Sequence, residues 1–159
     1  MNLLPRRSLL AIAAVVDIAY HARPSPIAAK ALSARHSLPP RHLETLLQVL
    51  VRSGILKGVR GPRGGYELAR ERRRITVADI VRAASSPAAA LDGSGKIPGA
   101  DDEGSEPSAL VRDVVVPAID QASEIFLEKL QEITVDDLCN AAQTRKVFGE
   151  AAPAHDFSI

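Results

Sequence analysis

The chain has 159 residues, of which 46% are apolar and only 3% are aromatic. This length suffices for one compact domain, or for a small domain with an appended element. Because the apolar residues are mainly aliphatic, the composition favours a helical core over a β-sandwich. The single cysteine, Cys139, excludes an intramolecular disulfide and a cysteine-rich metal site, and it indicates a reducing, cytoplasmic compartment.

The formal net charge of +1 conceals a strong division between two parts of the chain. Residues 1–82 contain 15 lysines and arginines but only 5 acidic residues, whereas residues 83–159 contain 5 basic and 14 acidic residues. Such a division indicates that the basic part contacts nucleic acid or a membrane surface.

The first predicted helix, Leu9–Ala22, is strongly apolar, and Ser8 is its expected N-cap. Arg6 and Arg7 precede it, as in a short signal peptide. However, Asp17 interrupts the apolar run, which is too short to cross a bilayer. We therefore expect a buried helix of a cytosolic protein that does not contact membranes.

Two more helices are predicted before a basic hairpin. Ser25 suits the N-cap of a helix over Pro26–Ala34, and Pro40 opens a helix over Arg41–Ser53, which Gly54 ends. The apolar residues of the third helix recur at three- and four-residue spacing, which predicts a core face: Leu43, Leu46, Leu47 and Leu50.

The hairpin consists of two short apolar runs, Ile55–Val59 and Tyr66–Ala69, around a turn of glycine and proline at Gly61–Gly65. Three basic residues lie on or beside its tip: Lys57, Arg60 and Arg63. Such a turn suits a phosphate backbone or a narrow minor groove, although alone it fits a solvated surface hairpin equally well.

The order of helix, short helix, turn, helix and basic hairpin is that of a winged helix-turn-helix. In that fold the helix after the turn lies in the major groove of DNA, and the hairpin, or wing, reaches the flanking backbone or minor groove. The predicted fold is therefore mainly α with a small β-hairpin. Thr76 is expected to cap a further helix, Val77–Ala84, which ends a DNA-binding domain over residues 1–84.

One octapeptide is more specific than the order of elements: Val59-Arg60-Gly61-Pro62-Arg63-Gly64-Gly65-Tyr66. Supporting matches are Ile27-Ala28, Leu32, Leu43-Glu44, Leu50, Ser53-Gly54-Ile55-Leu56 and Leu68-Ala69. With these residues the sequence resembles the Rrf-type winged-helix transcription regulators, which include regulators of iron–sulfur cluster assembly, nitric oxide response and cysteine metabolism. By analogy, Arg41, His42 and Glu44 read bases, and Arg60 and Arg63 make wing contacts. The full predicted DNA-binding set is Pro40, Arg41, His42, Glu44, Thr45, Gln48, Lys57, Arg60, Arg63 and Gly64.

Residues 85–108 are rich in Pro, Gly, Ser and Asp and predict a flexible loop. In cluster-binding members of the family this region carries three cysteines that ligate an iron–sulfur cluster. This chain has none there, and Ser105 stands near the position of the last. Hydroxyls do not replace thiolates as cluster ligands, so we expect the fold and the DNA site without a cofactor.

A long amphipathic helix is predicted over Leu110–Leu130, which would be about 30 Å long. It could fold back on its own domain or pair with a second subunit, and the resemblance favours a homodimer. The predicted dimerisation residues are Val111, Val115, Ala118, Ala122, Ile125, Phe126 and Leu130. Pro117 is expected to kink this helix.

Thr134 is expected to cap a short helix, Val135–Ala142, which completes a segment over residues 109–142. Residues 143–159 show no strong pattern and predict a loose tail.

The leading hypothesis is a homodimeric, sequence-specific DNA-binding regulator, most commonly a repressor in such families, that binds a palindromic operator in double-stranded DNA. The alternative is a winged-helix module that binds a protein partner and no DNA. An enzyme is not expected, because His21, His36, His42 and His155 lack metal-ligand spacing and the glycine-rich turn lacks the lysine of a P-loop.

The signal that controls such a regulator is open. A small-molecule effector between the long helix and the core, or a protein partner, would each suffice. Cys139 could be a redox switch, although a lone cysteine in an amphipathic helix is more often a small buried hydrophobe.

Overall fold

The computed structural model describes residues 3–86 and 108–149. This part of the chain contains helices and one two-stranded antiparallel sheet, so the prediction of a mainly α fold with a small hairpin is confirmed. The elements are α1 (Arg6–His21), α2 (Ala29–His36), α3 (Pro40–Arg52), β1 (Leu56–Val59), β2 (Gly65–Leu68), α4 (Val77–Ala84), α5 (Val116–Gln131) and α6 (Val135–Thr144). A 3₁₀ turn, Arg72–Arg74, precedes α4, and a π-helical stretch, Val111–Val115, precedes α5. Most of the predicted loop over residues 85–108, including Ser105, lies outside the described residues.

Helix α1 begins earlier than predicted. Its N-cap is Pro5, and Ser8 is buried inside the helix, so the prediction of Ser8 as the cap is wrong. Ala11, Val15 and Ile18 are fully buried, which makes the apolar first helix a central element of the core. None of the helices in the described ranges is long and apolar enough to cross a membrane.

Helix α2 begins at Ala29 rather than Pro26, and Ser25 does not cap it. The reason is a tertiary contact, because Ile27 is extended and pairs with the wing. The Ile27 N–H donates to the Tyr66 carbonyl at 2.9 Å, and the Tyr66 N–H donates to the Ile27 carbonyl at 2.8 Å.

The turn between α2 and α3 is held by local hydrogen bonds. Ser37 adopts a left-handed conformation with φ of 50°, and the buried Ser33 hydroxyl donates to the Leu38 carbonyl at 2.6 Å. At the other end of α3, Gly54 also takes a positive φ, 68°, which suits glycine. The Ile55 N–H then bonds the Leu50 carbonyl at 3.0 Å, a Schellman-type ending as the sequence predicts.

One aliphatic core joins α1, α3, α4 and α6. The predicted core face of α3 is confirmed, since its four leucines are each at most 4% exposed. Principal members of the core are Ala11, Val15, Ile18, Leu32, Leu43, Leu46, Leu47, Leu50, Ile55, Leu56, Ile75, Ile80, Val135 and Cys139. A smaller cluster beneath α5 contains Val77, Ala78, Val81 and Leu130.

Helices α4 and α6 start side by side. Thr76 and Thr134 are their N-caps, as predicted, and each forms a capping box with an aspartate three residues later. The two threonines also form an antiparallel bridge, in which the Val77 N–H bonds the Ile133 carbonyl and the Val135 N–H bonds the Ile75 carbonyl. The C-terminal helix is therefore connected by backbone hydrogen bonds to the segment that leads into α4.

The chain after α6 is ordered further than predicted. Helix α6 continues to Thr144, and the Phe148 ring lies 4.8 Å from the rings of both Tyr20 and His21, measured between centroids. The expectation of a loose tail from residue 143 is therefore wrong up to Gly149, because Phe148 covers the end of α1.

Pro117 does not interrupt α5 in its middle. It occupies the second position of the α-helix, directly after the π-helical stretch, where the Val116 N–H bonds the Val111 carbonyl. Proline has no N–H to bond the carbonyl of Asp113, and its ring would crowd that carbonyl in a regular helix. The wider turn removes this conflict.

A buried carboxylate connects α1 with α2. The Asp17 side chain is fully buried and accepts two hydrogen bonds from Arg35, from Nε to Oδ2 at 2.9 Å and from Nη2 to Oδ1 at 2.6 Å. His21 Nδ1 lies 2.9 Å from Oδ1, and His36 Nε2 lies 3.0 Å from Oδ2. His21 and His36, which no spacing in the sequence relates, thus meet at one aspartate.

We predict that Asp17→Asn lowers the free energy of unfolding by about 3 kcal/mol, because it removes the charge that compensates Arg35 in a buried site. This value is at the lower end of the usual range, since Arg35 is partly exposed and can turn towards water. Urea denaturation followed by circular dichroism measures the difference. The control is Glu67→Gln, which breaks the exposed ion pair with Lys57 and should cost less than about 1 kcal/mol. Equal losses in both variants would contradict a special role of Asp17.

Candidate nucleic-acid interface

The exposed face of α3 carries the predicted base-reading side chains. Arg41, His42, Glu44 and Gln48 are exposed, and Thr45 is half-buried with its hydroxyl bonded to the Arg41 carbonyl at 3.2 Å. The leucine face of the same helix lies in the core, so its orientation is fixed by burial rather than by the polar residues. Pro40 forms the first turn and supplies no side-chain polar group.

The wing protrudes beyond this helix. Strands β1 and β2 pair in the register Leu56–Leu68, Lys57–Glu67, Gly58–Tyr66 and Val59–Gly65, which leaves residues 60–64 as the tip. Arg60 and Arg63 are exposed there, and neither forms an ion pair with any residue in 3–86 or 108–149. Two uncompensated arginines at a protruding turn constitute a surface suited to phosphate or to the minor groove.

At two neighbouring glycines of the wing there is no room for a Cβ. A Cβ added to Gly64 would collide with the Val59 carbonyl oxygen, and one added to Gly65 would collide with the backbone of Ile27. Gly65 lies where the segment before α2 pairs with the wing, as the Ile27–Tyr66 bonds show. The wing is therefore fastened to the helix-turn-helix by backbone pairing. Among the predicted DNA-binding residues, Gly64 has this structural reason to be glycine.

Tyr66 connects the wing with α3. Partial burial raises the pKa of its phenol, and the nearby Glu44 carboxylate raises that pKa further. Gln48, Arg52, Gly58 and Tyr66 line one shallow pocket between α3 and the wing. Tyr66, the last residue of the octapeptide, thus lies between the two predicted DNA-contacting elements.

Lys57 differs from the two tip arginines. Its Nζ lies 3.0 Å from Glu67 Oε1 across the hairpin, on the side facing α1, where both residues line a pocket with Tyr20 and Arg70. No acidic residue lies between Ile55 and Tyr66 in the sequence, so the sequence does not indicate a partner for Lys57. Glu67 becomes that partner because strand pairing places it opposite Lys57. Its contribution to DNA binding stays a prediction, now with a competing partner.

Two arginines after the wing form ion pairs within the chain. Arg72 Nε lies 2.7 Å from Asp136 Oδ1, and Arg73 Nε lies 3.3 Å from Asp136 Oδ2. Two of the three consecutive arginines therefore bind the first turn of α6.

A second surface begins where α5 leaves the core. Every residue from Ser108 to Ile125 is exposed, including five of the seven predicted dimerisation residues: Val111, Val115, Ala118, Ala122 and Ile125. Phe126 is half-buried and Leu130 is buried, and both belong to the cluster that packs against α4. Four further large apolar residues of this stretch are exposed and were not among the predicted ones: Leu110, Val114, Val116 and Ile119.

Cys139 lies in the core rather than at a surface. It is 2% exposed, and burial raises the pKa of its thiol, although Arg72 lowers that pKa in part. The reactive thiolate is therefore disfavoured at neutral pH. Among the described residues, no group of three or more His, Cys, Asp or Glu is placed to hold a metal ion. Because Cys139 is the single cysteine of the chain and is buried, the residues present do not fit an iron–sulfur cluster.

Comparisons with known proteins agree with this architecture. The model of the Rrf2 family, described as an iron-dependent transcriptional regulator, matches residues 4–141. The HTH-type transcriptional regulator IscR of Xenorhabdus nematophila is 35% identical over 86 residues, which are 54% of this chain and 52% of that protein. IscR of Vibrio atlanticus is 36% identical over 73 residues, 46% of this chain and 42% of that protein. The chain thus spans about half the length of the curated relatives it matches.

Two solved structures are similar over most of the chain. IscR of T. potens superposes with a TM-score of 0.66 at 28% identity, covering 99% of this chain and 97% of that one. CymR, the global cysteine regulator of B. subtilis, superposes with a TM-score of 0.59 at 25% identity, covering 89% and 98%. The sequence resemblance noted above is confirmed by these matches.

We predict that Cys139 reacts with a thiol reagent such as dithionitrobenzoate at least about a hundredfold more slowly in the native protein than in the urea-unfolded chain, because the folded thiol is both buried and protonated. The rate of thionitrobenzoate release measures this. Comparable rates in the two states would restore Cys139 as a sensor candidate.

Proposed function

Because the chain belongs to the Rrf2 family of transcriptional regulators, we propose that it is a homodimeric repressor that binds a palindromic DNA operator. Helix α3 lies in the major groove and the wing contacts the flanking backbone or minor groove. The observation that carries this proposal is the wing, where Arg60 and Arg63 are exposed beside the polar face of α3 and form no ion pair with any residue of 3–86 or 108–149.

The charges support the same orientation on DNA. The basic residues of positions 1–82 include the wing and α3, whereas the acidic residues of the C-terminal part include Asp120 and Glu124 on α5. Placing α5 away from DNA avoids repulsion between these carboxylates and the phosphates. Repression by occupying a promoter needs no further contact, and it is the mode we propose.

The proposed dimer rests on the exposure of α5. An unsupported helix of this length is only marginally stable in water, and every residue from Ser108 to Ile125 is exposed within the described part of the chain. Ile119 is 60% exposed and Ile125 is 58% exposed. The spacing of Val111, Val115, Ala118, Ala122 and Ile125 alternates between four and three residues, as in helices that pair along a seam. A second copy offers the same surface, so a two-fold axis would cover both.

The residues present do not support a cluster, so we propose that this regulator acts without one. The signal that controls it is then a ligand or protein partner other than an iron–sulfur cluster. Since the described chain offers no exposed cysteine, the control does not pass through Cys139.

Selection of DNA from a random pool by the purified protein, followed by sequencing, tests the function. We expect a motif with two-fold symmetry and half-sites about one helical turn apart. Binding of the selected duplex should fall at least about tenfold in Arg60→Ala and in Arg63→Ala, with a weaker salt dependence, because each change removes a phosphate or groove contact.

Fluorescence anisotropy at several salt concentrations measures these affinities. Arg145→Ala, which removes the same charge from the exposed turn after α6, is the matched control and should bind like the wild type. If no duplex is retained even at low salt, the proposal is wrong and a protein-binding module becomes the better explanation.

For the dimer, we predict that Ala122→Glu raises the dissociation constant at least about a hundredfold, because the symmetry would bury two carboxylates. Ser123→Glu introduces the same charge one residue away, outside the proposed seam, and should leave the dimer intact. Sedimentation velocity measures both variants, with circular dichroism to show that each remains folded. A wild type that sediments as a monomer at tens of micromolar would refute the dimer.

A further inference from the structure

A pocket of about 360 Å³ lies between the wing, the end of α1 and the segment that follows β2. Charged residues of both signs line it: Arg23, Lys57, Glu67, Arg70, Glu71 and Arg72. Partly exposed apolar residues from α1, from the residue after it and from β2 line it as well: Ala19, Ala22 and Leu68. A volume of this size, with apolar surface and a few charged groups, is typical of sites that bind small molecules.

Most of these charged residues already have partners within the chain. Lys57 Nζ lies 3.0 Å from Glu67 Oε1, and Arg72 Nε lies 2.7 Å from Asp136 Oδ1. Arg70 Nε donates to a backbone carbonyl at the end of α3, at 3.2 Å. These contacts hold the walls of the pocket and connect them with the wing, α3 and α6.

Arg23 and Glu71 are the exceptions. Within residues 3–86 and 108–149, neither side chain forms a hydrogen bond or an ion pair. Both residues are exposed, so a ligand in the pocket can reach them. In this part of the chain the pocket thus offers one unpaired guanidinium group and one unpaired carboxylate.

These two unpaired charges decide the class of ligand. A simple anion would be attracted by Arg23 but repelled by the carboxylates of Glu67 and Glu71, and a simple cation would be repelled by the arginines. A zwitterion satisfies both signs, because its carboxylate accepts from a guanidinium group and its ammonium group donates to a carboxylate. We propose that this pocket binds a small α-amino acid with an aliphatic side chain, whose carboxylate pairs with Arg23 and whose ammonium group pairs with Glu71.

The position of the pocket makes this ligand an effector of DNA binding, and this part of the inference rests on the proposed function. Lys57 and Glu67 belong to the wing, and Glu67 points to the opposite face of the sheet from Tyr66, which lies beside α3. A ligand that joins Arg23, just after α1, with Glu71, shortly after β2, restricts the motion of the wing. Because a restricted wing loses less conformational entropy on binding, the ligand should strengthen DNA binding.

Titration calorimetry of the full chain with L-alanine, L-valine and L-leucine tests the site. We expect the tightest of the three to bind with a Kd below about 1 mM, as the usual affinity per atom of small ligands allows. Each amino acid has two matched controls, the carboxylic acid without the amine and the amine without the carboxylate, which for leucine are isocaproate and isoamylamine. Both should bind at least about fivefold more weakly, since each lacks one charge-assisted contact.

Two variants assign the contacts. Arg23→Gln and Glu71→Gln should each weaken amino acid binding at least about fivefold. Glu71→Gln should also no longer distinguish the amino acid from the carboxylic acid, and Arg23→Gln should no longer distinguish it from the amine. The matched controls are Arg145→Gln and Glu128→Gln, which remove the same charges from exposed positions outside the pocket and should bind like the wild type.

Three results would overturn the proposed site. The first is the absence of both a binding heat and a rise in melting temperature with any of the three amino acids at about 10 mM. The second is a carboxylic acid that binds the wild type as tightly as its amino acid, since the site then takes a simple anion. The third is amino acid binding that neither Arg23→Gln nor Glu71→Gln weakens.

Fluorescence anisotropy with the selected duplex measures the effect on DNA binding. An amino acid at the concentration that saturates the wild type should lower the Kd for DNA at least about threefold, and the combined variant Arg23→Gln, Glu71→Gln should lose this response. An affinity for DNA that stays the same when the amino acid is bound would refute the effector role. If the wild type retains no DNA, the proposed function fails, whereas the calorimetry still decides the pocket.

Discussion

The buried Asp17 carboxylate connects α1 and α2, the parts of the helix-turn-helix unit whose relative orientation must be fixed. Its two oxygens accept from Arg35 and approach His21 and His36, which brings the end of α2 against α1 immediately before the turn into α3. A buried charge is stable only with such a set of partners, so few other packings of α2 satisfy it. The angle at which α3 is presented follows from this arrangement and from the leucine face that α3 buries.

The wing is positioned by a different interaction. Backbone pairing between Ile27 and Tyr66 adds the segment before α2 to the edge of the hairpin, and Gly65 permits the close approach that this needs. The wing and the helix-turn-helix are thus connected through main-chain hydrogen bonds, which do not depend on side-chain identity. At the tip, Arg60 and Arg63 pair with no acidic residue in the described part of the chain, so they are available for contacts outside it.

The two halves of the chain have distinct physical roles. The C-terminal half contributes to the core through Val135 and Cys139 on α6, whereas the N-terminal half of α5 extends away with its apolar residues exposed. Asp113, Asp120 and Glu124 lie on this extending part, whereas the exposed arginines Arg41, Arg60 and Arg63 lie on α3 and the wing. The chain therefore presents a basic surface on α3 and the wing that suits phosphate groups. Its second surface, the apolar face of α5, suits pairing with a copy of the same surface.

The sequence by itself determined the helix-turn-helix and wing, because leucine spacing and the positions of glycine and proline are local signals. It determined the starts of α4 and α6 for the same reason, since a threonine N-cap is also a local signal. It also indicated the tip arginines and the absence of cluster ligands. Only the tertiary structure decided which charged side chains pair with one another. It paired Lys57 with Glu67, Arg72 with Asp136 and Asp17 with Arg35, since each partner lies far away in sequence or across a hairpin. It likewise started α2 later and divided the apolar stripe of α5 between the core and the surface, because long-range packing competes with local propensity for the same residues.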